Sequence, residues 1–216
     1  MVKRKKSYIK KINQLDTLSV HAGVKTDPLT GAVMTPIYAT STYAHDRPGE
    51  HKGYEYSRSQ NPTREVLENS IAELESGYKA FAFASGVAAQ TAVLDLLKPG
   101  DHVIAFDDLY GGTFRLFNEI KSKSSNIEFT FVDLNTNFSK ELKKNTKMIW
   151  IETPTNPLLK ITDLKRIARI ARKNKLITVC DNTFATPYNQ RPLEHGIDIV
   201  NHSTTKYING HSDVIG

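Results

Sequence analysis

A disulfide within this chain is excluded by its cysteine content: Cys180 stands alone among 216 residues. A lone cysteine in an otherwise ordinary globular composition fits a reducing compartment, so a cytoplasmic setting is expected. Also missing is any run near the roughly 18 apolar residues that a membrane helix needs. The N-terminus carries charge but no apolar h-region, so it does not read as a secretory signal. Nothing repeats internally, which sets aside solenoids and propellers. No metal ligand set is expected.

Acidic residues are absent from one place in particular. Residues 1–11, MVKRKKSYIKK, hold six Lys or Arg and no Asp or Glu. The remaining chain has 23 basic residues of the total 29, matched by 23 acidic ones, so the formal charge of +6 belongs to the tail. Such a tail can touch nucleic acid or an anionic surface. No nucleic-acid-binding module accompanies it, and a solvated terminus is the plainer reading. Neither a nucleic-acid partner nor a membrane is expected.

What is present begins with an irregular segment. Residues 12 to about 60 show weak periodicity and many turn formers, as in TDPLTGAVMTP and DRPGEHKGYEYSRSQNP. At Asn61-Pro62 the pattern changes to an N-cap, a proline at the first helical position, and Leu67, Ile71 and Leu74 at helical spacing. Gly77 is expected to end that helix. Beyond it, apolar runs at 80–84, 102–106, 127–132, 147–151, 176–180 and 197–201 alternate with helical stretches after Ser85, at 113–122 and at 163–174. Strands alternating with helices imply βαβ units and a largely parallel sheet, so the fold class is α/β.

In open α/β sheets ligands bind beyond the carboxyl ends of the strands. Five apolar runs are followed there by polar or aromatic groups. Ser85-Gly86-Val87 follows 80–84, Tyr110 follows 102–106, and Asn156 in ETPTNP follows 147–151. Asp181 follows 176–180, and Ser203, Thr205 and Lys206 follow 197–201. Each also has a structural reading. A Ser-Gly pair before a helix is a cap and a turn, or an anion site built from free N–H groups. Asp181 is a structural carboxylate or a functional one. Tyr110 is a loop aromatic or a platform for a flat ring. Lys206 is a solvated lysine or a reactive amine. Taken together they suit a flat, phosphorylated aromatic aldehyde, pyridoxal phosphate. A lysine would hold its aldehyde, a carboxylate its ring nitrogen, an aromatic its face and a helix N-terminus its phosphate.

The motifs LSVHAG (18–23), YEYSRSQNPTR (54–64), AFASGVAA (82–89), DDLYGGTFRLF (107–117), ETPTNPLLKITD (152–163), DNTFATPYNQRPL (181–193) and HSTTKYINGHSD (202–213) stand in one order. In that order and spacing the chain resembles the pyridoxal-phosphate enzymes of cysteine and methionine metabolism. These include cystathionine γ-synthase, the cystathionine lyases, methionine γ-lyase and the homoserine sulfhydrylases. The resemblance implies a fold of the aspartate-aminotransferase type. It implies that Lys206 carries the cofactor and moves protons, that Asp181 pairs with the ring nitrogen, and that Tyr110 stacks on the ring. Gly86 and Val87 amides, with Ser203 and Thr205, would hold the phosphate. Tyr56 and Arg58 would reach into a neighbouring subunit's site and bind its phosphate, with Tyr56 also facing the substrate there, and Asn156 would lie near the cofactor oxygen and the substrate carboxylate.

By this resemblance residues 1–60 are an arm whose partner is another subunit, and 61–216 are the cofactor-binding domain. The functional unit would be a dimer, and in the family a tetramer of two dimers. Members of the family continue with a C-terminal domain that holds the substrate's carboxylate. The chain as given lacks that domain, so an inactive remnant stands as an alternative to a working enzyme.

Three positions depart from the family pattern. Gln60 replaces a usual glycine, Val87 a common methionine, and Asn209 a glycine at a place where left-handed backbone is expected. Gly112 occupies the position where methionine γ-lyases usually carry a cysteine, which argues against methionine cleavage. YGGTFRLF and NTFATPYNQRPL look most like cystathionine γ-synthases and their relatives the γ-lyases. The expected reaction is γ-replacement on an O-acylated homoserine by cysteine, with cystathionine γ- or β-cleavage as the alternative.

Overall fold

The structure, a computed structural model, describes residues 15–216. The basic N-terminal tail lies outside them. The described residues form two compact units, one ending at Ala82 and the other Phe83–Gly216. No helix among them is long and apolar enough to cross a membrane.

The first unit holds helices α1, Leu15–His21, and α2, Pro62–Leu74. Asn61 caps α2 by accepting from Thr63 N–H (2.9 Å) and Arg64 N–H (3.3 Å), with Pro62 opening the helix. Its end is a Schellman turn, but Ser76 (φ 58°) is the left-handed residue. Gly77 instead donates its N–H back to Ala72 O at 2.7 Å. Gly23 follows α1 where nothing larger fits, since a Cβ there would meet Val66 O at 2.5 Å and Ser70 N at 2.6 Å. The segment between the helices has little regular structure beyond single bridges such as Thr42 with Tyr56. Its apolar side chains Leu29, Val33, Met34 and Ile37 are exposed. α2 groups with this segment, so the compact unit extends past Asn61 to Ala82.

The second unit is built on five parallel strands in the order β2-β1-β3-β4-β5. They are β1 His102–Phe106, β2 Glu128–Val132, β3 Thr146–Glu152, β4 Ile177–Asp181 and β5 Ile199–Asn201. Each lies within an expected apolar run or overlaps it within a residue or two. The run 80–84 is different, because it forms no strand. An apolar run becomes a strand only when a ladder partner meets it, and here Phe81 and Phe83 remain exposed.

Parallel neighbours require crossovers; of the next three helices the first leads into β1, and the other two lie in the crossovers from β1 to β2 and from β3 to β4. α3, Gly86–Leu94, is capped by Ser85 Oγ, which accepts from Ala88 N–H at 3.1 Å. α4, Gly111–Arg115, runs on through a π-helical turn, Leu116–Lys121, that no sequence pattern announces. α5, Leu164–Asn174, buries Leu164, Ile167, Ala168 and Ala171 on one stripe and turns Lys165, Arg169, Arg172 and Lys173 outward. The core centres on Trp150 and Phe117, whose rings meet edge to face at 5.1 Å.

The order 2-1-3-4-5 reverses direction at β1 and β3. The chain leaves β1 toward β2, then crosses back to place β3 on β1's other side. The crevice at such a reversal, beyond the carboxyl ends, is where doubly wound sheets take ligands.

Candidate active site

Strand register sets the floor of the site. Glu152 on β3 pairs with Asp181 on β4, and Asp181 pairs with Asn201 on β5. One row beneath lie Ile151, Cys180 and Val200. The three polar residues therefore end their strands side by side, and all three are buried.

Asp181 is the most heavily bonded of them. Its Oδ2 accepts from Gln90 Nε2 at 3.2 Å and Asn201 Nδ2 at 3.1 Å. Its Oδ1 accepts from Thr183 N–H at 3.0 Å and the Thr183 hydroxyl at 2.5 Å. Four donors from α3, β5 and the β4 exit thus converge on one carboxylate and fix both its oxygens. Gln90 is itself held by the Thr113 hydroxyl of α4, which donates to Gln90 Oε1 at 3.1 Å.

Thr183 links this floor to the next wall. Its hydroxyl oxygen accepts from Ser203 N–H at 2.9 Å. Ser203 in turn lies against the start of α3, since a Cβ on Gly86 would sit 2.8 Å from Ser203 Cβ. Only glycine permits that approach. With Ser85 spent on Ala88, the first amides of α3, at Gly86 and Val87, have no acceptor among the described residues. The Ser203 and Thr205 hydroxyls converge on a single oxygen acceptor, Gly216 O, at 3.5 and 3.1 Å. A helix start with free N–H groups beside two convergent hydroxyls matches the chemistry of a phosphate. Gly86, Val87, Ser203 and Thr205, four of the residues expected from the sequence to face a phosphate, thus stand together at one end of the second unit.

Lys206 follows in the same turn, with its N–H donated to Ser203 O at 3.3 Å. It is exposed, and its ammonium has no partner among the described residues. In the next turn Gly210 (φ 76°) and Ser212 (φ 57°) take the left-handed backbone. Asn209, expected there, instead bonds Asp213 Oδ1 through its amide at 2.7 Å.

Glu152 anchors the loop that leaves β1. Both its oxygens accept from Tyr110 N–H, at 3.2 and 3.1 Å, and the Asn156 N–H dipole favours its charged form. Burial, followed by the neighbouring Asp181 charge, pushes the Glu152 carboxyl up to about 8, against the pull of those two N–H groups. The Tyr110 ring lies over Gly112, where a Cβ would meet ring Cε1 at 2.4 Å. The Asn156 loop is pinned by buried Asp108, which accepts from the Thr155 hydroxyl and from Leu158 N–H at 3.1 Å.

Tyr56 and Arg58 lie in the first unit. The Arg58 guanidinium sits over the Tyr56 ring, 5.0 Å from its centroid, and has no ion pair among the described residues. Gln60 closes the same turn by donating its N–H to Tyr56 O at 3.0 Å, with a negative φ that needs no glycine.

Sequence reasoning missed Gln90, Thr183, Asn201 and Glu152. Glu152 and Asn201 carried the same signal as Asp181, a polar residue closing an apolar run. Gln90 was visible as a polar residue within the apolar α3, whereas nothing marked Thr183.

The family description "Cys/Met metabolism PLP-dependent enzyme" matches residues 16–216. The chain is 58% identical over 208 residues to a cystathionine β-lyase of Coxiella burnetii, covering 95% of this chain and 54% of the relative. It is 54% identical over 202 residues to a cystathionine γ-lyase of Bacillus subtilis, covering 93% and 53%. The crystal structure of a cystathionine γ-synthase from Xanthomonas oryzae pv. oryzae, in complex with aminoacrylate and cysteine, superimposes with a TM-score of 0.89 at 43% identity. That match covers 94% of this chain and 53% of the other. The chain spans about half the length of the curated relatives it matches.

Proposed function

The chain belongs to the Cys/Met metabolism PLP-dependent enzymes, and from that premise we propose that it binds pyridoxal phosphate and acts on carbon–sulfur bonds of small amino acids in the cytoplasm. The observation that carries this reading is Asp181: a buried carboxylate fixed by four donors, in the same cluster as a helix start that approaches Ser203 too closely for any side chain. A cationic ring nitrogen and a phosphate, held at the two ends of one flat ligand, fit that pair of features.

When bound, the cofactor supplies an electron sink for charge developing at the substrate's α-carbon. The chain's own residues do the rest. Lys206 would hold the cofactor's aldehyde carbon and would move protons at the α- and β-carbons of the substrate. Asp181 pairs with the ring nitrogen and keeps it protonated. Tyr110 covers one ring face. The Gly86 and Val87 amides, with Ser203 and Thr205, bind the phosphate. Asn156 faces the substrate side of the ring. Tyr56 and Arg58 complete a neighbouring copy's site, and the exposed arm residues Leu29, Val33, Met34 and Ile37 support such a homo-oligomer, a dimer or a pair of dimers.

For the reaction we propose γ-replacement. Cysteine sulfur bonds to Cγ of an O-acylated homoserine, the acyloxy group leaves as a carboxylate, and the thiol proton passes to solvent. Cystathionine cleavage is a second reading, favoured by the 58% and 54% identities to proteins named as lyases. Product analysis separates them. The protein, supplied with pyridoxal phosphate, is given O-acylhomoserine plus cysteine in one assay and cystathionine in another. Cystathionine formation in the first supports replacement. Pyruvate or 2-oxobutyrate from the second, without the first, replaces that reading with β- or γ-cleavage. Cofactor binding with no product in either assay sides with the inactive alternative.

A further inference from the structure

Two residues of α3 carry polar side chains, Gln90 and Thr91. Thr91 donates its hydroxyl to Val87 O of its own helix at 2.9 Å. Gln90 bonds outward instead. It is buried, with 2% of its surface exposed, and its amide reaches two other elements. Nε2 donates to Asp181 Oδ2 at the end of β4, at 3.2 Å, and Oε1 accepts from the Thr113 hydroxyl of α4 at 3.1 Å. Thr113 is fully buried as well. Burying an amide and a hydroxyl carries a desolvation cost that apolar side chains of similar volume avoid, so packing alone does not account for a glutamine here.

The bonds run in one direction. An ionised carboxylate only accepts, so the NH2 group of Gln90 must face Asp181 and its oxygen must face Thr113, whose hydroxyl then donates. Turned over, the amide would set its oxygen against the carboxylate. Asn201, the other donor to Asp181 Oδ2, passes nothing on, since its own Oδ1 is buried without a partner among the described residues. The relay through Gln90 joins three walls of the site. Gly86 and Gln90 stand one turn apart on one face of α3, so the face that meets Ser203 also carries the amide. Thr113 lies in the first turn of α4, directly beyond Gly111 and Gly112, and Tyr110 is the N-cap of that helix.

We propose that Gln90 is a positioning residue: oriented by Thr113, it locks Asp181 to α3 and α4, and so sets the ring-nitrogen partner in register with the phosphate end and the ring-covering face. The roles of those walls rest on the function proposed above; the relay between them does not. Thr113 acts through Gln90, so the two form one unit, and losing either breaks the same tie.

Two measurements test this, and they fail separately. The first follows the NMR signals of the Gln90 side-chain NH2 group in the cofactor-free protein. In Thr113→Val, which keeps the shape and removes the hydroxyl, these protons are expected to exchange with solvent about tenfold faster or more. Thr113→Ser, which keeps the hydroxyl, should retain the parent's rate. The second is a double-mutant cycle on affinity for pyridoxal phosphate. Gln90→Met, similar in volume but without a donor, should weaken binding about tenfold, and Thr113→Val about three- to tenfold. Thr113→Val added to Gln90→Met should weaken it no further, and Thr113→Ser alone should match the parent. Additive losses, the mark of two residues acting through packing, overturn the proposal, as does parent-like NH2 exchange in Thr113→Val. Should Gln90→Met not fold, the contrast of Thr113→Val with Thr113→Ser decides it in both measurements. A parent protein that binds no cofactor overturns the role assigned to Gln90 together with the functional reading, while the exchange result still decides the relay.

Discussion

The amino ends and carboxyl ends of the same strands are built on opposite principles. At the amino end His102 is fully buried, yet both ring nitrogens have partners: Nδ1 meets the Thr146 hydroxyl and Nε2 the Thr130 hydroxyl, each at 2.8 Å. One neutral ring thus clamps β1, β2 and β3, and burial, then Lys143, lowers its affinity for a proton. At the carboxyl end Glu152 and Asp181 sit in adjacent strands with Asp108 near, and no cationic side chain is paired with either of the first two among the described residues. The amino edge satisfies its polar groups internally. The carboxyl edge concentrates acceptors and negative charge, which is sensible where a cation is to be bound and costly elsewhere.

Breaking the carboxyl edge should give the largest effect on ligand binding. Asp181→Ala removes the proposed partner of the ring nitrogen and strands donors on Gln90, Asn201 and Thr183. Affinity for pyridoxal phosphate, read by equilibrium titration, is expected to fall about 100-fold or more, the scale of losing one partner of a buried ion pair. The matching break at the amino edge should move stability alone. His102→Ala removes buried volume and leaves the Thr130 hydroxyl without its partner, while Thr146 keeps Lys143 N–H, so unfolding free energy should drop by about 3 kcal/mol. Cofactor affinity of the folded fraction should be unchanged. Equal losses of affinity in the two variants would erase the distinction between the edges.

The pH dependence of stability sharpens the same comparison, because the two edges carry opposite signs. His102 binds a proton more weakly when folded, so its contribution is present above 6.5 and is lost as pH falls below that value. Glu152 holds its proton more tightly when folded, so stability declines as pH rises from 4.5 toward about 8, then levels. Denaturant titrations across this range should lose the alkaline decline in Glu152→Gln and the acid one in His102→Gln. An alkaline decline that survives Glu152→Gln would contradict the like-charge account of this edge. The smallest effect belongs to Gly112→Ala, whose methyl must displace the Tyr110 ring. A loss of cofactor affinity of about three- to tenfold is expected, the worth of one aromatic contact, with little change in melting temperature.

Much of the sheet was legible because buried parallel strands are continuous apolar runs closed by polar residues. The runs at 102–106 and 147–151 carry that signature, and both become strands. AFAFA at 80–84 carries it too and does not, since its partner is not written in its own residues. Side-chain relays were harder to read. Asp181 stood out at the end of a run, but its donors Gln90 and Thr183 come from other turns of chain, and only the folded register shows them converging. The π-turn after α4 and the left-handed Ser212 had no compositional signal at all. Gly86 was legible as a helix start, whereas its contact with Ser203 spans more than a hundred residues of sequence and belongs to topology.

The central claim is that the carboxyl edge of this sheet is a pyridoxal-phosphate site with Lys206 as the attachment point. Its most direct test is the visible absorbance spectrum of the purified protein after incubation with pyridoxal phosphate, beside Lys206→Ala. The account predicts a band of lysine-bound cofactor in the parent protein, retained through gel filtration and absent from the variant. A folded parent with no such band, or a band that persists in Lys206→Ala, would contradict it.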